Sequence, residues 1–150
     1  MNRIGTWNVE GMRGPSEVKF AELRISMRKH GISVLCIQET HLVGAEHFVE
    51  DGFMTFLSWN CGSNERSYAG VGFMVAPWAH QAVVCFNAIS DRLACLRLKV
   101  SGGVLNLLSV YAPHDGIDFN IRHQFFSTLS EHTRVQHEHE TSLVLADFNS

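Results

Sequence analysis

A chain of 150 residues suits one domain, and an apolar share of 45% with only 18% charged residues excludes a disordered tail. No apolar run approaches the roughly 20 residues that a membrane helix needs. Met1-Asn2-Arg3-Ile4-Gly5 lacks the basic and apolar regions of a secretory signal, so the expected compartment is nucleus or cytosol. The net charge of −3 does not mark a nucleic-acid binder, although Arg3, Arg13, Lys19, Arg24, Arg28 and Lys29 crowd the first 29 residues. A solvated helix face explains most of that cluster. Four cysteines occur, none in a C-x-x-C pair. Cys36, Cys85 and Cys95 sit in apolar runs and read as small core residues of a reducing compartment, so neither a disulfide partner nor a zinc site is expected.

Arg3 to Trp7 reads as a strand ending at Asn8, followed by a glycine- and proline-rich loop through Pro15. Ser16 and Glu17 open a helix that runs to His30 and stops at Gly31. Its broad apolar face comprises Val18, Ala21 and Ile25 with Phe20, Leu23 and Met27. Ser33 to Gln38 is a continuous apolar run, hence a buried strand, and it ends at Glu39. Phe53 to Trp59 is a further strand, with a polar loop from Ser58 to Ser67. Ala69–Ala76, Ala82–Phe86, Leu93–Val100 and Val104–Tyr111 follow as short strands, with Ser101-Gly102-Gly103 as a tight turn between the last two. Successive hairpins imply antiparallel sheet and an α+β domain. Asp118 to about His137 is a helix with Ile121, Phe125, Phe126 and Leu129 inward. Leu143-Val144-Leu145-Ala146 is the last strand, and it delivers Asp147 and Asn149 to its tip.

Polar residues therefore stand at the carboxyl ends of the apolar runs: Asn8, Glu39, Tyr111, and then Asp147 with Asn149. Ligands gather beyond such strand ends. Glu39 is a carboxylate suited to Mg²⁺, which takes few protein ligands and keeps waters for substrate phosphate. Asp147 could orient or deprotonate a water, while Asn8, Asn149 and Tyr111 could donate to phosphate oxygens. That set is a minimum kit for metal-assisted phosphoester hydrolysis. On an extended backbone Asp147 and Asn149 share a face, and each also favours turns for purely local reasons. Other polar residues read as structural. His41, which follows Glu39 and Thr40, is read as a loop histidine, with a place near the site as the alternative. His137 and His139 lie about 200° apart on a helix and cannot share a metal. His114 and Asp115 have no evident partner. Arg92, beside Asp91, serves an ion pair or else a phosphate contact. Trp7, Trp59 and Trp78 pack at the core or rim, and Gly70 and Gly72 permit close strand packing.

Six stretches in order carry a resemblance: Thr6-Trp7-Asn8-Val9-Glu10-Gly11, Ile37-Gln38-Glu39-Thr40-His41, Tyr68-Ala69-Gly70-Val71-Gly72-Phe73, Ser90-Asp91-Arg92-Leu93, Ser109-Val110-Tyr111-Ala112-Pro113 and Leu145-Ala146-Asp147-Phe148-Asn149. Together they are similar to the motifs of the endonuclease/exonuclease/phosphatase superfamily, above all to endonuclease domains of non-LTR retrotransposons and craniofacial-development-protein-2-like sequences. The resemblance implies a DNase I-like β-sandwich flanked by helices, in four layers (α/β/β/α). It implies Mg²⁺-dependent (or Mn²⁺-dependent) phosphodiester hydrolysis with DNA as substrate. Glu39 is then a metal ligand with Asn8 beside it in the metal and phosphate shell, Tyr111 and Asn149 contact phosphate, and Asp147 positions the nucleophilic water. Ala146 stands where the family has Gly, and none of the nine histidines follows a Ser-Asp pair after Asp-Phe-Asn. Residues 1–150 are accordingly expected to form the amino-terminal part of such a domain, without the closing Ser-Asp-His and last strands, and to be inactive by themselves. A phosphatase of small phosphoesters and a non-catalytic remnant are the alternatives.

Overall fold

The computed structural model describes residues 3–12, 16–42, 47–58, 69–134 and 137–149. A strand β1 (Ile4–Asn8) leads into helix α1 (Ser16–His30), then β2 (Val34–Gln38), β3 (His47–Glu50), β4 (Phe53–Ser58) and β5 (Val71–Val75). A 3-10 turn, Pro77–Ala82, carries the chain to β6 (Val83–Ser90), β7 (Leu93–Val100) and β8 (Gly103–Tyr111). Helix α2 (Phe119–Thr133) and strand β9 (Glu140–Asp147) complete it. The first sheet has the order β1-β2-β5-β4-β3 and the second β6-β7-β8-β9.

Each interface between layers has its own apolar cluster. Phe20, Leu23 and Met27 of α1 pack on Leu35, Ile37 and Met74 of the first sheet. Val34, Cys36, Phe73 and Val75 meet Ala94, Leu96, Leu98 and Leu107 between the sheets. Phe125 and Leu129 of α2 cover Leu93, Cys95, Leu108 and Val110 on the outside of the second sheet. This is the four-layer α/β/β/α arrangement that the sequence implied. Strand β2 shows why: all five of its residues are buried, because it lies inside the first sheet with layers on both faces.

Local signals set the helix ends. Gly31 has φ +63°, Ile32 N donates to Met27 O at 2.9 Å and Gly31 N to Arg28 O at 3.3 Å, so α1 closes in a Schellman motif. Asp118 caps α2 by accepting from Asn120 N at 2.9 Å.

Several expectations need correction. In α1 the buried stripe is narrow, and Val18 and Ile25 point to solvent, because the helix covers the sheet along a single line. In α2, Phe126 is exposed, being about 100° round the helix from the buried Phe125; Ile121 is exposed and lines an open cleft with Ile89 and Pro113. The helix stops at Thr133, short of His137. Strand β3 was not foreseen, β6 runs on to Ser90, and β9 starts at Glu140. The step from β5 to β6 is no hairpin, since the two strands lie in different sheets. Cys85 is exposed, on the outer face of an edge strand, whereas Cys36 and Cys95 are buried. Trp7 and Trp78 are about half exposed and pack at the rim. Cys61, Trp59, Tyr68 and most of the Ser58–Ser67 loop lie outside the described residues.

Candidate active site

Strands β1 and β2 run parallel, as do β8 and β9, and Tyr111 lies directly beside Asp147 in the second ladder. Their carboxyl ends therefore emerge together at one end of the sandwich. Asn8 is the junction. Its Nδ2 donates to Glu39 Oε1 at 2.8 Å and to Asp147 Oδ2 at 2.7 Å, and its Oδ1 accepts from Glu10 N at 2.9 Å. Two carboxylates, one from each sheet, thus share one neutral amide. Tyr111 lies on the other side, close enough to Asn149 and Glu39 for both to act on its phenol. Asn149 Nδ2 also donates to Ala112 O at 2.7 Å, and its main-chain N donates to Asp147 Oδ1 at 3.0 Å. Asn149, Tyr111, Glu39, Asn8 and Asp147 stand together as one polar ring at the strand ends.

The backbone that holds this ring is unusual. Glu10, Glu39, His41 and Asn149 have φ of +50°, +53°, +54° and +47°. Such left-handed conformations cost non-glycine residues on the order of 1 kcal/mol each. Main-chain bonds hold them there: Gly11 N to Glu39 O at 2.7 Å, Met12 N to Thr40 O at 2.8 Å, Thr40 N to Gly70 O at 3.1 Å and His41 N to Ala69 O at 2.9 Å. Gly70, at φ +103°, approaches so closely that a Cβ there would lie 2.2 Å from Thr40 Oγ1. Asp147 and Asn149 meet through a turn in which Asn149 is left-handed, so the extended geometry expected for this pair is replaced by an Asx-type bond.

Every residue singled out at a strand end is brought together here. Arg92 sits beside them: its guanidinium lies over the Tyr111 ring, 5.0 Å from the centroid, and its Nη1 donates to Tyr111 O at 3.4 Å and Ala112 O at 3.3 Å. His41 takes the alternative place near the site, with Nε2 3.4 Å from Glu39 Oε2. Asp115 pairs with Arg122 at 2.8 Å on the surface. Burial pushes the Tyr111 phenol above its ordinary pKa of 10.0; a hydrogen bond to Glu39 acts in the same sense, while Asn149 and Arg92 oppose it. The hydroxyl therefore stays protonated at neutral pH and remains a donor.

The acidic donor set is small. No group of three or more His, Cys, Asp or Glu able to hold a metal occurs among the described residues. Two carboxylates with hard oxygen donors fit Mg²⁺ or Mn²⁺, which need few protein ligands, better than a soft tetrahedral zinc site.

The fold with this site is the DNase I-like, α+β fold of the AP endonucleases. The chain superposes on an AP endonuclease from Leishmania major with TM-score 0.68 at 19% identity, covering 95% of this chain and 53% of that one. For an AP endonuclease from Archaeoglobus fulgidus the values are 0.69, 17%, 99% and 57%. The endonuclease domain of TRAS1, a telomere-specific non-LTR retrotransposon, gives 0.64, 14%, 97% and 57%. No family model matches the chain. Sequence relatives are transposon proteins and craniofacial development protein 2. The transposon TX1 uncharacterized 149 kDa protein of Xenopus laevis is 29% identical over 97% of this chain and 11% of its own length. Craniofacial development protein 2 of Bos taurus is 23% identical over 98% of this chain and 24% of its own length. The chain spans a quarter or less of these curated relatives.

Proposed function

We propose that this chain carries the amino-terminal part of a metal-dependent DNA endonuclease domain of retroelement origin. The observation that carries the reading is Asn8, whose one amide nitrogen draws Glu39 and Asp147 together from opposite sheets. Two carboxylates at this separation invite a cation between or beside them. Neighbours with the same fold include a 3′ phosphatase bound to product DNA, which favours a nucleic-acid phosphoester as substrate.

Glu39, with Asn8 beside it, would hold Mg²⁺ or Mn²⁺, which would supply Lewis acidity and neutralise phosphate charge. The chain's own residues do the rest. Asp147 orients a water and accepts its proton as the oxygen bonds to phosphorus. The P–O bond to the leaving oxygen breaks, and that oxygen takes up a proton from solvent water. With substrate bound, Tyr111, held neutral, would turn its hydroxyl from Glu39 and Asn149 its amide from Ala112 O to the phosphate oxygens, and Arg92 steadies the Tyr111 ring.

The 150 residues by themselves contain the cation-binding half of this set and no Ser-Asp-His. They are expected to bind Mn²⁺ yet leave a supercoiled plasmid un-nicked. Calorimetric Mn²⁺ titration and a nicking assay test both parts, with Glu39→Ala and Asp147→Ala as controls. Loss of Mn²⁺ binding in Glu39→Ala supports the reading. A chain that binds no Mn²⁺ and cuts nothing is the non-catalytic remnant. Nicking abolished by Asp147→Ala would show that these residues suffice for catalysis.

A further inference from the structure

One layer beneath the polar ring, three more polar side chains meet: Gln38 and Ser109 are buried between the sheets, and Thr6 stands exposed at their edge. Gln38 is 1% exposed. Its amide meets Thr6 Oγ1 at 3.1 Å and donates to Ser109 Oγ at 3.0 Å, and Ser109 Oγ donates back to Ile37 O at 3.1 Å. Thr6 stands two residues before Asn8, Gln38 one before Glu39, and Ser109 two before Tyr111. The three come from β1, β2 and β8, so the layer spans both sheets.

A carboxamide buried on the same β2 face as Val34 and Cys36 needs a reason, since an apolar side chain would fill the space without desolvating polar atoms. Apolar contacts between sheets resist separation but tolerate sliding. Directional hydrogen bonds do not. The ring above requires fixed register, because Asn8 and Glu39 belong to the first sheet and Tyr111 and Asp147 to the second.

We propose that Thr6, Gln38 and Ser109 are positioning residues that key the two sheets in register, and thereby set the spacing of Glu39 and Asp147 for a divalent cation. The cation part rests on the function proposed above; the keying does not. Groups that orient metal ligands typically carry a 10- to 100-fold effect on metal affinity.

The test replaces the whole layer at once, Thr6→Val with Gln38→Met and Ser109→Ala, so that no buried donor is orphaned. Three measurements follow: the thermal midpoint, the Mn²⁺ affinity by calorimetry, and a crystal structure of the variant that reads the Asn8 Nδ2 distances to Glu39 Oε1 and Asp147 Oδ2, 2.8 and 2.7 Å in the parent. The expected result is a thermal midpoint within about 3 °C of the parent, Mn²⁺ binding weakened about 10- to 100-fold, and loss of at least one of the two Asn8 bonds as the sheets shift. At the open edge, Thr6→Ser is expected to keep the parent affinity and Thr6→Val to lose part of it, which separates the hydroxyl from packing. A triple variant that keeps both Asn8 bonds overturns the proposal. A parent chain that binds no Mn²⁺, with an Asn8 bond still lost in the variant, overturns the metal reading and upholds the keying.

Discussion

Strands β2 and β9 each deliver one carboxylate to the same site, and they are supported in opposite ways. β2 is paired on both sides and buried along its whole length. β9 is paired only with β8 among the described residues, and its residues alternate between exposed and half-buried over its first half. Glu39 is therefore located by packing. Asp147 is located by hydrogen bonds at the strand tip: Ala112 N to Asp147 O at 2.9 Å, Asn8 to its Oδ2 and Asn149 to its Oδ1. A polar site can thus be built on an edge strand when its last residues, and not its length, are fixed.

That contrast is open to direct attack. Its largest expected effect is in the apolar part: Ile37→Ala, at a residue with no exposure, should cost about 2–5 kcal/mol in chemical denaturation. Leu143→Ala, at 41% exposure on β9, should cost less than about 1 kcal/mol. Similar costs at the two positions would dissolve the distinction. Next is Gly70→Ala, which puts a Cβ into Thr40 at φ +103° and should cost about 1–3 kcal/mol, because the main-chain bonds that hold Thr40 and His41 after Glu39 depend on this close approach.

The tip of β9 should respond to polar changes more than to apolar ones. Asn149→Ala removes the amide bond to Ala112 O and leaves a Cβ residue at φ +47°, for a loss of about 1–2 kcal/mol. Asn149→Gly relieves the backbone and should lose less, so the difference between the two variants measures the strain.

The smallest effect concerns Glu140 at the start of β9. Its carboxyl is held below its ordinary pKa of 4.5, first by Asn106 and also by the Arg97 guanidinium at 2.6 Å, against the opposing effect of desolvation. A depressed folded pKa favours the native state above the unfolded value and loses that advantage as pH falls through the folded one. Glu140→Gln should therefore flatten the stability profile below about pH 4.5, with little change at pH 7, as read from unfolding midpoints across that range.

How much was readable in advance differs from element to element. The apolar run ending in Gln38-Glu39 announced a buried strand with an acid at its tip, because a strand inside a sheet leaves little room for polar alternation. The start of α2 at Asp118 and the stop of α1 at Gly31 are local chemistry, legible within a few residues, although the capping bond of Asp118 is a finding of the structure. The exposure of Ile121, Phe126, Val18 and Ile25 was not readable, since periodicity shows that a helix has an apolar side but not how wide a line the sheet will cover. Strand β3, four residues long and mostly exposed, carries too few apolar positions to signal itself. Gln38 and Ser109 lay in plain sight inside apolar runs, yet nothing local showed that they would meet.

The sequence by itself determined the strand and helix alternation, the polar residues at the strand ends and the motif order that resembles the endonuclease/exonuclease/phosphatase superfamily. These depend on side-chain period and local backbone chemistry, which act over a few residues. Only the tertiary structure decided that Asn8 would bridge Glu39 and Asp147, residues 31 and 139 positions away along the chain. It also decided that Tyr111 would complete the ring and that Gln38 would reach across to Ser109. Such contacts exist only when two sheets pack in one register, and that register is a property of the whole apolar interface rather than of any segment within it.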